Sequence, residues 1–204
     1  MDSWVLDVVR GMGPWGVALL MFLENVFPPL PSEVIMPLAG YLSSQGEAPF
    51  WAMSLAGTAG SLAGAYFWYR VGRAVTPERL TAWVDRHGTW LAMTPEDVHR
   101  AHDWFGRHGR SSVLFGRLVP LVRTLISVPA GFTRMPAGQF LALSALGTGV
   151  WTFALAYAGR LLGSQFKQVE QWLGPVSSGI VVLAVLWYFY RVFRIHQQKR
   201  HAGR

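Results

Sequence analysis

The sequence predicts an all-α integral membrane protein built on an inverted repeat, in which each half combines a re-entrant helical hairpin with a transmembrane helix. Three observations predict this class. Of the 204 residues, 51% are apolar and only 14% are charged, which is too little charge for the surface of a soluble protein of this length. Three stretches, 49–69, 136–159 and 171–190, carry no charged residue over lengths that cross a hydrocarbon core of about 30 Å. Two further apolar stretches are broken by prolines into runs too short to span.

We interpret the chain as a single membrane domain. The predicted segments are, in chain order, an interfacial helix (1–13), a first re-entrant hairpin (14–46), a transmembrane helix (49–69), a cytoplasmic segment of amphipathic helices (70–110), a second re-entrant hairpin (111–135), a transmembrane helix (136–163), a final transmembrane helix (166–190) and a basic tail (191–204). Arginine dominates the charge of the segment 70–110, and the tail contains no acid. Because positive charge collects on the cytoplasmic side, both are expected in the cytoplasm.

The first hairpin is predicted from the prolines that divide it. An apolar run from 14 to 27 meets three prolines in four positions, which remove three backbone donors and exclude a continuous helix. These prolines are Pro28, Pro29 and Pro31. Ser32 is a candidate N-cap for the second apolar run, and neither run spans a bilayer alone. Irregular backbone of this kind is tolerated at membrane depth where it is buried in protein or lines a wet cavity.

The second hairpin is predicted from the same pattern further along the chain. Its apolar residues are interrupted by Pro120 and Pro129, so no clean span is expected between 111 and 135. The residues predicted to shape the two hairpin tips are Pro28, Pro29, Pro31, Ser32, Pro120, Pro129 and Gly131.

The two halves resemble each other at offsets of 90 or 91 positions. Pro37-Leu38-Ala39-Gly40-Tyr41 recurs loosely as Pro129-Ala130-Gly131-Phe132, and Gly57-Thr58 recurs as Gly147-Thr148. A hairpin adds no net crossing and a span adds one, so the halves must run in opposite directions. The first hairpin then enters from outside and the second from inside, with their tips facing each other.

Four charged residues lie at these predicted tips. The first tip carries Glu24 and Glu33, and the second carries Arg117 and Arg123. Ionisable groups at membrane depth are costly, so they usually form pairs and mark a transport pathway. Arginine offers a planar fork suited to phosphate. Burial favours a neutral carboxyl group and a nearby arginine favours the ionised form, so these glutamates are expected to gain and lose protons.

Less specific interpretations apply to the same residues. Glu24 with Arg117, and Glu33 with Arg123, would also serve as structural salt bridges that join two hairpins. His99 and His102 have the spacing of metal ligands, but they lie among charged residues, so no metal site is predicted. Five tryptophans, namely Trp51, Trp68, Trp151, Trp172 and Trp187, are interpreted as interfacial anchors near span ends.

The motifs around these charges resemble the DedA family, also called SNARE-associated or VTT-domain proteins. The runs that carry the resemblance are Glu24-Asn25-Val26-Phe27-Pro28-Pro29-Leu30-Pro31-Ser32-Glu33, Phe115-Gly116-Arg117-Leu118-Val119-Pro120-Leu121-Val122-Arg123-Thr124 and Val128-Pro129-Ala130-Gly131. The resemblance covers roughly residues 14–163.

The resemblance implies a lipid transporter that moves undecaprenyl phosphate across the bacterial cytoplasmic membrane, driven by the proton-motive force. It implies that Arg117 and Arg123 bind the phosphate head group, and that Glu24 and Glu33 couple or gate transport. A phosphatidylethanolamine translocase or a scramblase of the same family remains an alternative. So do a membrane lipid phosphatase, which would need a nucleophile or metal ligands near the arginines, and a structural assembly factor.

Other cofactors and partners are limited by composition. The chain has no cysteine, so disulfides and thiolate metal sites are excluded, and no cofactor is predicted. The net charge of +7 is concentrated beside apolar segments, which favours contact with the bilayer over nucleic acid. The expected partners are a polyprenyl phosphate or phospholipid and the membrane itself, and the sequence is compatible with a homo-oligomer.

Overall fold

The structure, a computed structural model, describes residues 3–27, 32–75 and 95–162. All regular secondary structure in these ranges is helical, in agreement with the predicted all-α class. The predicted final transmembrane helix and basic tail lie outside the described residues, as do Pro28, Pro29, Pro31 and residues 76–94 of the predicted cytoplasmic segment. The described helices are α1 (Ser3–Met12), α2 (Pro14–Val26), α3 (Ser32–Ser44), α4 (Phe50–Ala74), α5 (Pro95–Gly116), α6 (Pro120–Leu125), α7 (Ser127–Phe132) and α8 (Ala137–Leu162).

Helices α2 and α3 are the two arms on either side of the proline break. Each has 13 residues, which corresponds to about 20 Å and is shorter than a hydrocarbon core. Helix α2 begins at Pro14, where a missing backbone donor has no cost. Helix α3 begins at Ser32 itself, and the buried Ser32 hydroxyl has no hydrogen-bond partner among the described residues. The predicted N-cap role of Ser32 is therefore wrong, because the residue is already helical.

Helices α4 and α8 are the two long helices of the described ranges, with 25 and 26 residues. By length and composition α8 is the one described helix that is apolar enough to cross a membrane. Helix α4 is nearly as long, but it has two leucines against six in α8 and two arginines against one, which lowers its hydropathy. It also continues to Ala74, beyond the predicted end at residue 69, because the residues that follow include good helix formers such as Arg70 and Arg73.

Helix α5 continues across residues 110 and 111, where the sequence predicted the boundary between the cytoplasmic segment and the second hairpin. The change from charged to apolar composition occurs there, but the helix continues from Pro95 to Gly116. No proline interrupts the chain until Pro120, so the first arm of the predicted second hairpin is the end of a longer helix.

The second arm of each predicted hairpin packs mainly on the long helix of the opposite half. Helix α3 contacts α8 more extensively than it contacts α4, and α7 packs on α4. Glycines allow close approach at both crossings: a Cβ added at Gly40 would collide with the carbonyl oxygen of Ala156, and one at Gly131 with that of Tyr69. The two halves are therefore interlocked.

Candidate functional site

The four predicted charges come from four different helices or helix ends. Glu24 lies in the last turn of α2, and Glu33 is the second residue of α3. Arg117 follows the end of α5, and Arg123 lies in the short helix α6. The proline breaks end the helices near these residues, so their side chains converge where the two halves meet.

Arg123 is at the centre of this cluster. Its Nη2 atom donates a hydrogen bond of 2.6 Å to Glu24 Oε1 and lies 3.7 Å from Glu33 Oε1. The side chains of Arg123 and Glu24 are 7% and 4% exposed, whereas that of Glu33 is 24% exposed. Glu24 is thus the buried partner, and Glu33 is closer to the surface.

Arg117 is buried but is held without a carboxylate partner within the described residues. It donates hydrogen bonds of 2.8 Å to the Arg123 carbonyl oxygen and to Ser127 Oγ. Its guanidinium lies 5.4 Å from the ring centroid of Phe140. The pairing of Glu24 with Arg117, one of the predicted structural salt bridges, is therefore not formed, because Glu24 bonds to Arg123 instead.

Several polar atoms of the cluster are buried without a hydrogen-bond partner in the described part of the chain. They are Glu24 Oε2, Arg117 Nε, Arg123 Nε and Ser32 Oγ. A buried donor or acceptor left unpaired costs about 1–3 kcal/mol, so a ligand that satisfies these atoms would gain that free energy. The two arginine donors match an anion, and the free carboxylate oxygen is a place for a proton.

The neighbours of the cluster include residues that the sequence did not assign to it. Ser127 Oγ accepts a hydrogen bond from Arg117. Trp151, interpreted as an interfacial anchor, has its ring centroid 5.9 Å from the Arg123 guanidinium. Asn25 donates to Ser61 Oγ at 2.7 Å and fixes α2 to α4. In the sequence, Asn25 directly follows Glu24, and this was the one signal that could have assigned Asn25 to the cluster.

The remaining predicted tip residues take structural positions. Helix α6 begins at Pro120, and Pro129 lies within α7. Gly131 is buried where α7 crosses α4.

Within the ranges that the structure describes, no three His, Cys, Asp or Glu side chains come together as a group that could hold a metal ion.

Comparison with known proteins gives a family match over most of the chain. Residues 30–161 match the family described as the VTT domain. No solved structure matches the chain.

Three relatives have informative names. A Lactococcus lactis subsp. lactis (strain IL1403) protein named "Alkaline phosphatase-like protein" is 39% identical over 184 residues, which cover 90% of this chain and 86% of the relative. "Undecaprenyl phosphate transporter A" of Staphylococcus aureus (strain NCTC 8325 / PS 47) is 32% identical over 201 residues, covering 98% of this chain and 99% of the relative. The protein of the same name from Bacillus subtilis (strain 168) is 32% identical over 184 residues, covering 90% and 89%.

Proposed function

This chain belongs to the VTT-domain family, the DedA family of membrane proteins, and on that basis we propose that it transports undecaprenyl phosphate across the bacterial cytoplasmic membrane. Two relatives that it matches over nearly their full length are named as transporters of this lipid. The observation that carries the proposal is the buried cluster in which Arg123 bonds to Glu24, while Arg117 lies beside it with no carboxylate partner among the described residues. The lipid tail stays in the bilayer, and only the head group enters the protein.

The phosphate binds at Arg117 and Arg123. Arg117 has no acidic partner in the described ranges, and its Nε is buried and unpaired. Arg123 contributes a second unpaired Nε beside it. Two planar guanidinium groups can share the oxygens of one phosphate through charge-assisted hydrogen bonds, which are about twice as strong as neutral ones.

Proton coupling follows from competition between Glu24 and phosphate for Arg123. A proton that binds Glu24 removes its negative charge and weakens the ion pair at 2.6 Å, so the guanidinium becomes free for phosphate. Loss of that proton restores the ion pair and displaces the lipid. Glu33, which is more exposed and lies 3.7 Å away, passes protons between this pair and the aqueous side.

Alternating access uses two re-entrant hairpins in an inverted repeat, with the C-terminal tail in the cytoplasm. The short arms α2 and α3 support the first hairpin, because neither is long enough to span. Helix α3 packs on α8 and α7 packs on α4, so each short helix contacts the long helix of the other half. This reciprocal packing is expected when two halves are related by a two-fold axis in the membrane plane. Movement of one hairpin against the other would open the charge cluster to one side at a time.

A second candidate function is hydrolysis of a lipid phosphate, which the name of the Lactococcus relative favours. Ser127 Oγ accepts a hydrogen bond of 2.8 Å from Arg117 and would be the candidate nucleophile. Purified protein that releases inorganic phosphate from undecaprenyl phosphate or its pyrophosphate, and loses this activity in Ser127→Ala, would establish hydrolysis in place of transport.

The proposed transport is tested in liposomes that contain the purified full chain. Undecaprenyl phosphate, phosphatidylethanolamine and phosphatidylglycerol are followed separately, with and without a pH gradient. We expect movement of undecaprenyl phosphate that the gradient accelerates. Equal movement of all three lipids, unaffected by the gradient, would instead identify a scramblase.

A further inference from the structure

A second group of arginines lies at one end of the two long helices. Between the last turns of α4 and the start of α8 lies an open cavity of about 570 Å³, lined by Tyr66, Tyr69, Arg70, Arg73, Ala74, Pro136 and Ala137. Because α4 ends and α8 begins here, we expect this cavity at the level of the lipid head groups.

Each arginine of this cavity is held by a tyrosine. Arg73 Nη1 donates to the hydroxyl of Tyr69 at 2.6 Å, and Arg70 Nη1 donates to that of Tyr66 at 3.3 Å. Neither arginine lies within 4.0 Å of a carboxylate among the described residues. Arg73 Nη1 also lies 3.4 Å from the Met135 carbonyl oxygen, and the other donors of both guanidinium groups have no partner in the described part of the chain, which suits them to an anion in the cavity.

A column of aromatic rings leads from this cavity to the buried cluster. Tyr66 stacks on Tyr69 with ring centroids 5.8 Å apart, and Tyr69 stacks on Phe140 at 4.6 Å. The Phe140 ring centroid also lies 5.4 Å from the guanidinium of Arg117. Tyr69 is fully buried and its hydroxyl donates to the Met135 carbonyl oxygen, so the column is fixed in place.

Arginines and tyrosines near the ends of transmembrane helices often serve only as interfacial anchors. Arg160 fits that description, since it lies at the end of α8 over the ring of Phe50 and does not line this cavity. Arg70 and Arg73 differ, because they line the same cavity, are oriented by hydroxyl groups and connect through stacked rings to Arg117.

We propose that Arg70 and Arg73 form an outer phosphate site, which holds the phosphate monoester of a lipid head group before or after its passage through the buried cluster. The identity of the lipid rests on the proposed function, whereas the recognition of phosphate rests on the cavity itself. The head group would then bind at the outer site and at the inner site, formed by Arg117 and Arg123, one after the other.

The test measures binding of farnesyl phosphate, a short isoprenoid monophosphate, to the full chain in detergent by native mass spectrometry and calorimetry. We expect wild type to bind two molecules and Arg70→Gln/Arg73→Gln to bind one, with the lost site weakened at least about tenfold. Arg117→Gln/Arg123→Gln should retain the outer site. The matched control Arg100→Gln/Arg160→Gln removes two exposed arginines outside the cavity and should still bind two.

Unchanged binding in Arg70→Gln/Arg73→Gln would overturn the outer site. If the double variant does not fold, Arg70→Gln alone, which changes a fully exposed side chain, should still weaken the outer site about fivefold or more. Inorganic phosphate is the second probe: equal affinity would mean that the phosphate alone is recognised, and tighter binding of farnesyl phosphate would mean a lipid. Absence of transport together with binding that depends on Arg70 and Arg73 would refute the proposed function and leave this inference intact.

Discussion

Arg123 Nη2 and Glu24 Oε1 lie 2.6 Å apart in the interior of the protein although the residues are 99 positions apart in the sequence. The bond joins α6 of one half to α2 of the other. Removing one member of a buried ion pair typically costs about 3–5 kcal/mol, because the partner is left charged and unpaired. Substitutions of these two residues should therefore affect the cluster most strongly.

The two glutamates of the cluster should differ in importance. Glu24→Gln removes the buried charge bonded to Arg123, and we expect transport to fall by roughly tenfold or more. The loss of stability should be about 1–3 kcal/mol, below the usual range for a broken buried pair, because glutamine keeps an acceptor oxygen and Glu33 stays near Arg123. Glu33→Gln, at 3.7 Å and partly exposed, should have the smaller effect. Glu47→Gln is the control, since it breaks only an exposed pair with Arg10. Equal rates in all three variants in liposomes would contradict this order.

Arg123→Lys tests whether the cluster needs a planar fork. Lysine keeps the charge but presents it at a single point, so it cannot hold Glu24 and offer a second directed donor to phosphate. We expect a folded protein whose transport of undecaprenyl phosphate falls about tenfold. Arg10→Lys, on the exposed surface, should transport normally. Wild-type rates in Arg123→Lys would show that charge alone is sufficient.

Ser127→Ala tests how Arg117 is positioned. The variant leaves Arg117 Nη2 without its acceptor, a buried unpaired donor that should cost about 1–3 kcal/mol of stability. Phosphate-lipid affinity should fall with it, because the guanidinium loses one of its two fixed contacts. Ser43→Ala removes a hydroxyl that bonds only within its own helix, and it should change the melting temperature little. Similar melting curves for both variants would argue against the role of Ser127.

Two glycines of α8 provide a matched pair for packing against Arg117. A Cβ at Gly147 would lie 2.7 Å from Arg117 Cβ and from the Leu114 carbonyl oxygen, whereas one at Gly149 meets nothing within 4 Å. We expect Gly147→Ala to destabilise the protein by about 1–3 kcal/mol and to impair transport. Gly149→Ala should be neutral, or stabilising by up to about 1 kcal/mol, because alanine favours the helix. Thermal unfolding in detergent would distinguish the two, and equal curves would contradict the close contact.

The re-entrant arrangement predicts which residues share one side of the membrane. The chain contains no cysteine, so each introduced cysteine is the sole reactive thiol. Gly11→Cys and Gln45→Cys flank the first hairpin and should react with a membrane-impermeant reagent added outside. Ala74→Cys, at the end of α4, should react only from the cytoplasmic side. Labelling of residues 11 and 45 from opposite sides would mean that the segment between them crosses the membrane.

The sequence predicted the pair of Glu33 with Arg123, whose atoms lie 3.7 Å apart, but it paired Glu24 with Arg117, whereas Glu24 bonds to Arg123. Glu24 and Arg117 occupy similar places in the two halves, yet residues related by a repeat need not touch, since contacts depend on how the helices cross. Ser127 and Phe140 were not assigned to the site, because a serine and an aromatic residue in an apolar stretch carry no signal of the arginine beside them. The continuity of α5 was missed because composition changes at residue 111 without any proline to end the helix.

The interlocking of the two halves has a consequence for biosynthesis. Helix α3 finds its main packing surface on α8, which the ribosome completes only after α4 to α7 have been made. The early helices are therefore in the bilayer before the helices that pack against their glycines have been synthesised. Insertion factors or proteases can act on them at this stage. A nascent chain released after α4 would lack the surface that covers α3, so assembly depends on completing the second half.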